Sequence, residues 1–216
     1  MLFGMDPLSL LYIIPAILIG LTFHEIAHGY TAYLLGDKTA KEQGRLSLNP
    51  LKHIDPIGFI SMILVGFGWA KPVMMNPYNF KNYKDGIALT AVAGPLANFV
   101  MAIIGLLLFK LVYIFPVPGV IITFLTVFIQ INFMLAAFNI LPLPVLDGFK
   151  VIMRLFPDSI YDKAFAFERR YGIIILLILI LTRVLSFIWT PVFNFLVIVG
   201  SKITFTSDAV MQMFLR

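Results

Sequence analysis

The chain alternates between long uncharged runs and shorter polar, basic stretches. Its first run extends from Leu8 to Leu35 and carries charge only at Glu25. At 1.5 Å per residue, a helix of this length exceeds the ~30 Å thickness of the bilayer's hydrocarbon core. Further runs predict spans at about 86–109, 120–141 and 171–198. The pattern therefore predicts an all-α polytopic membrane protein with about four transmembrane helices.

One apolar run is too short to span. Residues 56–70 are uncharged but glycine-rich, and a comfortable span needs about 20 residues. We expect a re-entrant or membrane-embedded β-hairpin at about 56–73, buried in protein because bare strand edges cannot face lipid. With no internal repeat or second soluble unit visible, residues 1–216 are predicted to form a single membrane-embedded domain.

Composition supports the membrane assignment. The chain is 60% hydrophobic and 12% charged, whereas a soluble domain is about one quarter charged. Cysteine is absent, which excludes disulfides, a cysteine nucleophile and a cysteine-ligated metal. The net charge of +5 comes from loops beside apolar runs, where basic residues meet lipid headgroups. We therefore expect a lipid bilayer and no nucleic acid as partner, and the oligomeric state stays open.

The basic residues also predict an orientation in the cell membrane. Seven Lys or Arg lie between Asp37 and Asp85, and five lie between Lys150 and Arg170. By the positive-inside rule both loops are cytoplasmic, which places the N-terminus outside. No basic residue precedes Lys38, so the first run lacks the start of a cleavable signal peptide and is predicted to be retained.

The first span contains the sequence His24-Glu25-Ile26-Ala27-His28. Ionisable groups at membrane depth are costly and are usually paired or functional. Histidines at i and i+4 lie one turn apart on the same helix face, so both imidazoles can reach one metal ion. The adjacent Glu25 is placed to accept a proton from a metal-bound water. The charge pattern puts this motif nearer the cytoplasmic side.

A catalytic zinc takes about three protein ligands and keeps one position open. The third ligand could be His53, an acidic residue or another nitrogen donor. Asp147 is the best candidate, since it is the only charge from Leu111 to Phe149 and follows a span that ends on the same side. An aspartate before glycine can also serve only in a turn. We interpret Asn98 and Gly94-Pro95 as helix-packing features.

Several segments together resemble the site-2 protease family of intramembrane zinc metalloproteases. These are His24–His28 in the first span, Gly94–Asn98 in the next and Asn139–Gly148 after the third. The segments Gly44–Gly58 and Gly68–Val73 look like the compact prokaryotic branch. Neither the PDZ nor the CBS domain found in other branches is visible.

The resemblance implies specific roles. His24, His28 and Asp147 would bind one Zn²⁺ per chain, with Glu25 as general base. Asn139 would help to hold the substrate strand or the developing oxyanion. The expected activity is hydrolysis of peptide bonds within or near transmembrane segments of membrane proteins.

Two other functions fit part of the pattern. Intramembrane His and Asp can form a transit path, as in a metal or proton transporter, and a protease-like chain can be an inactive scaffold. Glu25 stands directly beside the histidine pair, rather than among further acids along other spans, which argues against a transporter. Because Glu25 is intact, the sequence also disfavours a scaffold.

Overall fold

The computed structural model describes residues 7–65, 68–112 and 114–215, which fold into helices joined by loops. Two loops contain a single 3₁₀ turn, at Pro50–Lys52 and at Pro77–Asn79. In the described residues the α-helices are, in chain order, α1 (Pro7–Leu34), α2 (Thr39–Glu42), α3 (Pro56–Val65), α4 (Tyr83–Val112), α5 (Gly119–Asn139), α6 (Asp147–Met153), α7 (Asp158–Leu181), α8 (Val184–Ile203) and α9 (Asp208–Gln212).

Four of these helices, α1, α4, α5 and α8, are long and apolar enough to cross a membrane. A helix bonds nearly all its backbone N–H and C=O groups internally, which is the requirement that hydrocarbon imposes on a spanning segment. The expectation of an all-α chain with four candidate membrane spans is confirmed.

The candidate spans pack around α4 and α5. Helix α1 lies against both, and α8 contacts the same pair from another side. Between α4, α5, α8 and α9, aromatic side chains such as Phe133, Phe193 and Phe214 are at most 1% exposed. The outer faces stay apolar, with Leu107 and Phe195 at least half exposed, as suits contact with lipid. The arrangement places one face of α1 against α4, where the histidines lie.

The predicted β-hairpin at 56–73 is wrong for the described residues. Residues 56–65 form α3, residues 68–73 contain no strand, and the only pairing is an isolated antiparallel bridge between Ile54 and Ala70. Residues 66 and 67 of the predicted segment lie outside the described residues. Asp55 accepts a hydrogen bond from the Gly58 N–H at 2.8 Å, so Asp55-Pro56 is a helix N-cap followed by proline at the first helical position. A helix also satisfies its own backbone without a partner strand.

The structure also divides the predicted span at 171–198 between two helices. Helix α7 ends at Leu181, α8 begins at Val184, and Arg183 between them is left-handed with φ 60°. The fourth candidate span is Val184–Ile203. A left-handed residue cannot continue a right-handed helix, so the apolar run is interrupted at Arg183.

Candidate metal centre

The two motif histidines lie where α1 packs against α4. Their Nε2 atoms are 2.9 Å apart, and both side chains are buried. On α4, a Cβ atom added at Gly94 would lie only 2.6 Å from His24 Cε1. The missing side chain at Gly94 therefore makes room for both imidazoles between the helices, which gives the predicted packing feature a specific use.

The hydrogen-bond partner of His28 determines which of its ring nitrogens carries the proton. Its Nδ1 lies 2.7 Å from the Thr90 backbone carbonyl oxygen. A carbonyl can only accept, so Nδ1 carries the proton and donates it. In the neutral ring, Nε2 then presents a lone pair towards His24.

An asparagine on α4 orients His24 in the same way. The Asn98 Nδ2 donates to the Gly20 carbonyl oxygen at 2.9 Å and to Asn132 Oδ1 at 3.1 Å. This network fixes the amide so that Asn98 Oδ1, 2.7 Å from His24 Nδ1, accepts the imidazole proton. In the neutral ring, His24 Nε2 therefore also carries a free lone pair.

The third group of the cluster is Asp147, the first residue of α6. Its Oδ2 lies 3.2 Å from His24 Nε2 and 3.1 Å from His28 Nε2, and Lys150 Nζ lies 3.0 Å from Oδ1. Asp147 is 6% exposed, and the Lys150 ammonium beside Oδ1 favours its ionised form. The site thus contains a buried carboxylate.

This donor set suits a divalent cation. Two imidazole lone pairs and a carboxylate oxygen converge within 4.8 Å of one another, and both Nδ1 protons are already donated elsewhere. In the neutral tautomers no proton lies between the three acceptors, so they repel one another unless a cation is shared. Two nitrogens and one oxygen are a ligand set that zinc accepts.

Glu25 lines a cavity of about 300 Å³ together with the three clustered residues. It is buried, and its Oε2 accepts the Val73 N–H at 2.8 Å. The segment before Val73 is held by the Arg45 guanidinium, which donates to the carbonyl oxygens of Lys71 and Pro72. One carboxylate oxygen of Glu25 is therefore fixed by the backbone, beside the clustered histidines.

The predicted Asn139 and the alternative ligand His53 both lie outside the cluster. Asn139 lines the same cavity, and its Nδ2 donates to the Leu135 carbonyl oxygen at 3.0 Å within α5. His53 is 2% exposed, and its Nε2 lies 2.8 Å from the Ser47 carbonyl oxygen. His53 therefore does not supply the third ligand atom, and its side chain lines a separate, adjoining apolar cavity of about 450 Å³.

Comparison with known proteins assigns the family. A family model described as Peptidase family M50 matches residues 117–182. YwhC of Bacillus subtilis (strain 168) is 40% identical over 195 residues, which cover 87% of this chain and 89% of that protein. The chain belongs to peptidase family M50. This confirms the resemblance to site-2 proteases, which are members of that family.

More distant relatives agree with this assignment. Rip2 of Mycolicibacterium smegmatis is 29% identical over 208 residues, covering 87% of this chain and 77% of that protein. MJ0611 of Methanocaldococcus jannaschii is 33% identical over 148 residues, covering 66% and 71%. YwhC and both of these proteins are provisionally named zinc metalloproteases. No solved structure matches the chain.

Sequence reasoning missed the contacts that orient the imidazoles. It interpreted Asn98 only as a packing residue and did not consider Thr90. A signal was present, because Thr90, Gly94 and Asn98 recur every four residues and share one face of α4. A face with a polar residue, a glycine and an amide in a membrane span is suited to receive polar side chains.

The Asn98 contact gives a testable expectation. Asn98→Ala removes the acceptor that holds the His24 Nδ1 proton, and loss of such an outer partner typically lowers metal affinity by about 10–100-fold. Zinc affinity measured by competition with a chelator should fall by that amount. Asn132→Ala, which leaves the His24 contact in place, should have the smaller effect. Equal affinities for Asn98→Ala and wild type would contradict the assigned role.

Proposed function

We propose that the chain is an intramembrane zinc metalloprotease that cleaves transmembrane proteins within or near their spans. One Zn²⁺ per chain would be held by His24 Nε2, His28 Nε2 and Asp147 Oδ2. The observation that carries the proposal is the convergence of these three acceptors inside a bundle of candidate spans, with Glu25 beside them. Membership of a peptidase family supports hydrolysis as the reaction.

Glu25 is assigned as the general base. A bound zinc ion would lower the pKa of a water towards ~7 and polarise the substrate carbonyl. The Val73 N–H holds Oε2 of Glu25, which leaves Oε1 to accept the proton as the water attacks the peptide carbon. Glu25 then returns this proton to the leaving nitrogen as the C–N bond breaks. The carboxylate ends the cycle in its starting form.

Asn139 is assigned a role in holding the substrate or the developing oxyanion. An asparagine amide has two N–H donors, and one of them is committed to Leu135. The other would donate to the oxygen that becomes negative during attack, or to a carbonyl of the substrate strand. The position of Asn139 in the wall of the same cavity supports this role.

The substrate must present an accessible peptide bond to this buried site. Carbonyls of a transmembrane helix are bonded within that helix, so the segment must unwind locally before attack. The apolar cavity of about 450 Å³ shares Leu21, Trp69 and Phe138 with the catalytic cavity. It offers an apolar environment for side chains of an unwound segment. With the basic loops cytoplasmic and the N-terminus outside, cleavage would occur nearer the cytoplasmic face.

Reconstitution tests this function against its rivals. The purified full chain would be placed in liposomes with zinc, a single-span peptide substrate and an entrapped zinc indicator. We expect fragments whose new termini, located by mass spectrometry, fall within or near the substrate's span. Zinc entry without fragments would support a transporter instead. Zinc binding with neither fragments nor entry would support an inactive scaffold.

A further inference from the structure

The turn that delivers Asp147 contains a strained residue. Val145 has φ 77°, in the left-handed region, and a β-branched side chain is strongly disfavoured there. The residue lies two positions before Asp147 and lines the catalytic cavity. Backbone strain persists only where the surrounding structure enforces it, so other residues must hold this turn.

Helix α7 supplies the contacts to the turn. The Val145 N–H donates to Glu168 Oε1 at 3.0 Å. One helical turn further along α7, a Cβ added at Gly172 would lie 2.8 Å from Val145 Cγ2 and 3.3 Å from Pro144 Cβ. The half-buried Glu168 is thus the polar anchor of a close contact, and Gly172 lets the turn approach the helix.

The turn leaves little freedom between Val145 and the metal cluster. The Leu146 N–H donates to the Leu143 carbonyl oxygen at 3.1 Å, and helix α6 starts at the next residue. A side chain at Gly148 would collide with the Ile140 carbonyl oxygen. A change in the backbone at Val145 is therefore passed on to Asp147, whose Oδ2 must stay close to two imidazoles.

We propose that Glu168 is a positioning residue for the metal site: by accepting the Val145 N–H it holds the strained turn and so places Asp147 against the histidines. This inference rests on the proposed function, since it assigns Asp147 as a ligand. Glu168 touches neither the substrate nor the reacting atoms. Its effect on catalysis is transmitted through the backbone of the turn.

Two substitutions distinguish the effect of the length of the Glu168 side chain from the effect of its charge. Glu168→Asp keeps the negative charge but shortens the side chain by one methylene, whereas Glu168→Gln removes the charge and keeps an acceptor oxygen at the same reach. Zinc affinity would be measured by chelator competition, and ligand geometry by the visible absorption spectrum of the Co²⁺-substituted protein. We expect Glu168→Asp to lose about 10–100-fold in zinc affinity with an altered Co²⁺ spectrum, and Glu168→Gln to resemble wild type.

Repeating the Glu168→Asp substitution in a Val145→Gly protein tests whether Glu168 acts by holding the strained backbone at Val145. Glycine adopts positive φ without steric cost. Val145→Gly therefore removes the backbone strain against which the Glu168 hydrogen bond holds the turn. The loss caused by Glu168→Asp should be several-fold smaller in Val145→Gly than in the native background. With a transmembrane peptide as substrate, the native-background loss should fall on kcat more than on KM.

Three results would overturn the inference. The first is wild-type zinc affinity and an unchanged Co²⁺ spectrum in Glu168→Asp. The second is a loss in Glu168→Gln but not in Glu168→Asp, which would indicate that charge matters rather than reach. The third is an equal loss in both Val145 backgrounds. Absence of zinc binding or of cleavage by the wild-type chain would instead refute the proposed function.

Discussion

Glu25→Gln is expected to bind zinc as wild type does and to cleave no transmembrane substrate. Glutamine has the shape of glutamate and keeps an oxygen that can accept the Val73 N–H, so the site should stay assembled. It cannot take up a proton at neutral pH. General bases contribute about 10²–10⁴ in rate, so turnover of a single-span peptide in liposomes should fall at least about 100-fold.

The matched control is Glu42→Gln, the same chemical change at an exposed glutamate on α2. It should cleave at the wild-type rate. Zinc content would be measured on the same preparations, so that loss of metal and loss of the base are distinguished. Cleavage by Glu25→Gln at a rate near that of wild type would rule out Glu25 as the base.

Asp147→Ala is expected to abolish both zinc binding and cleavage. The substitution removes the only oxygen of the three clustered ligand atoms and leaves two imidazoles to hold the ion. Loss of an outer-shell partner already costs about 10–100-fold in metal affinity, so loss of a direct ligand should cost more. Zinc content after dialysis against a weak chelator should fall from one per chain to near zero.

The exposed Asp162 on α7 offers a control for this prediction. Asp162→Ala removes an exposed carboxylate that is not among the clustered ligand atoms and should retain one zinc per chain. Helix content by circular dichroism would show whether Asp147→Ala still folds. Stoichiometric zinc in a folded Asp147→Ala protein would exclude Asp147 from the ligand set.

The β-hairpin expected at 56–73, which the described residues do not contain, shows where a local pattern was informative but was given too little weight. Glycine content and short length suggested a hairpin, yet Asp55-Pro56 is a helix-start signal that the structure uses. Arg183 likewise marked the break that divides the last apolar run. Both signals were readable, because caps and charges act within a few residues of themselves.

The sequence by itself determined the features that depend on neighbours along the chain. Long uncharged runs must become helices in hydrocarbon, since no water satisfies their backbone. The spacing of His24 and His28 puts both imidazoles on one face of any helix they form. The motifs and their order also resemble the family that the comparisons confirmed.

Only the tertiary structure decided how the site is completed. Asp147 meets the histidines because the turn after α5 brings the start of α6 close to α1, and no local pattern fixes that distance. Thr90 and Asn98 place the Nδ1 protons, so both Nε2 lone pairs converge, and this depends on how α4 lies against α1. These contacts join residues far apart in sequence. They exist only once the helices have packed, which is why chemistry was predictable from the motif while its geometry was not.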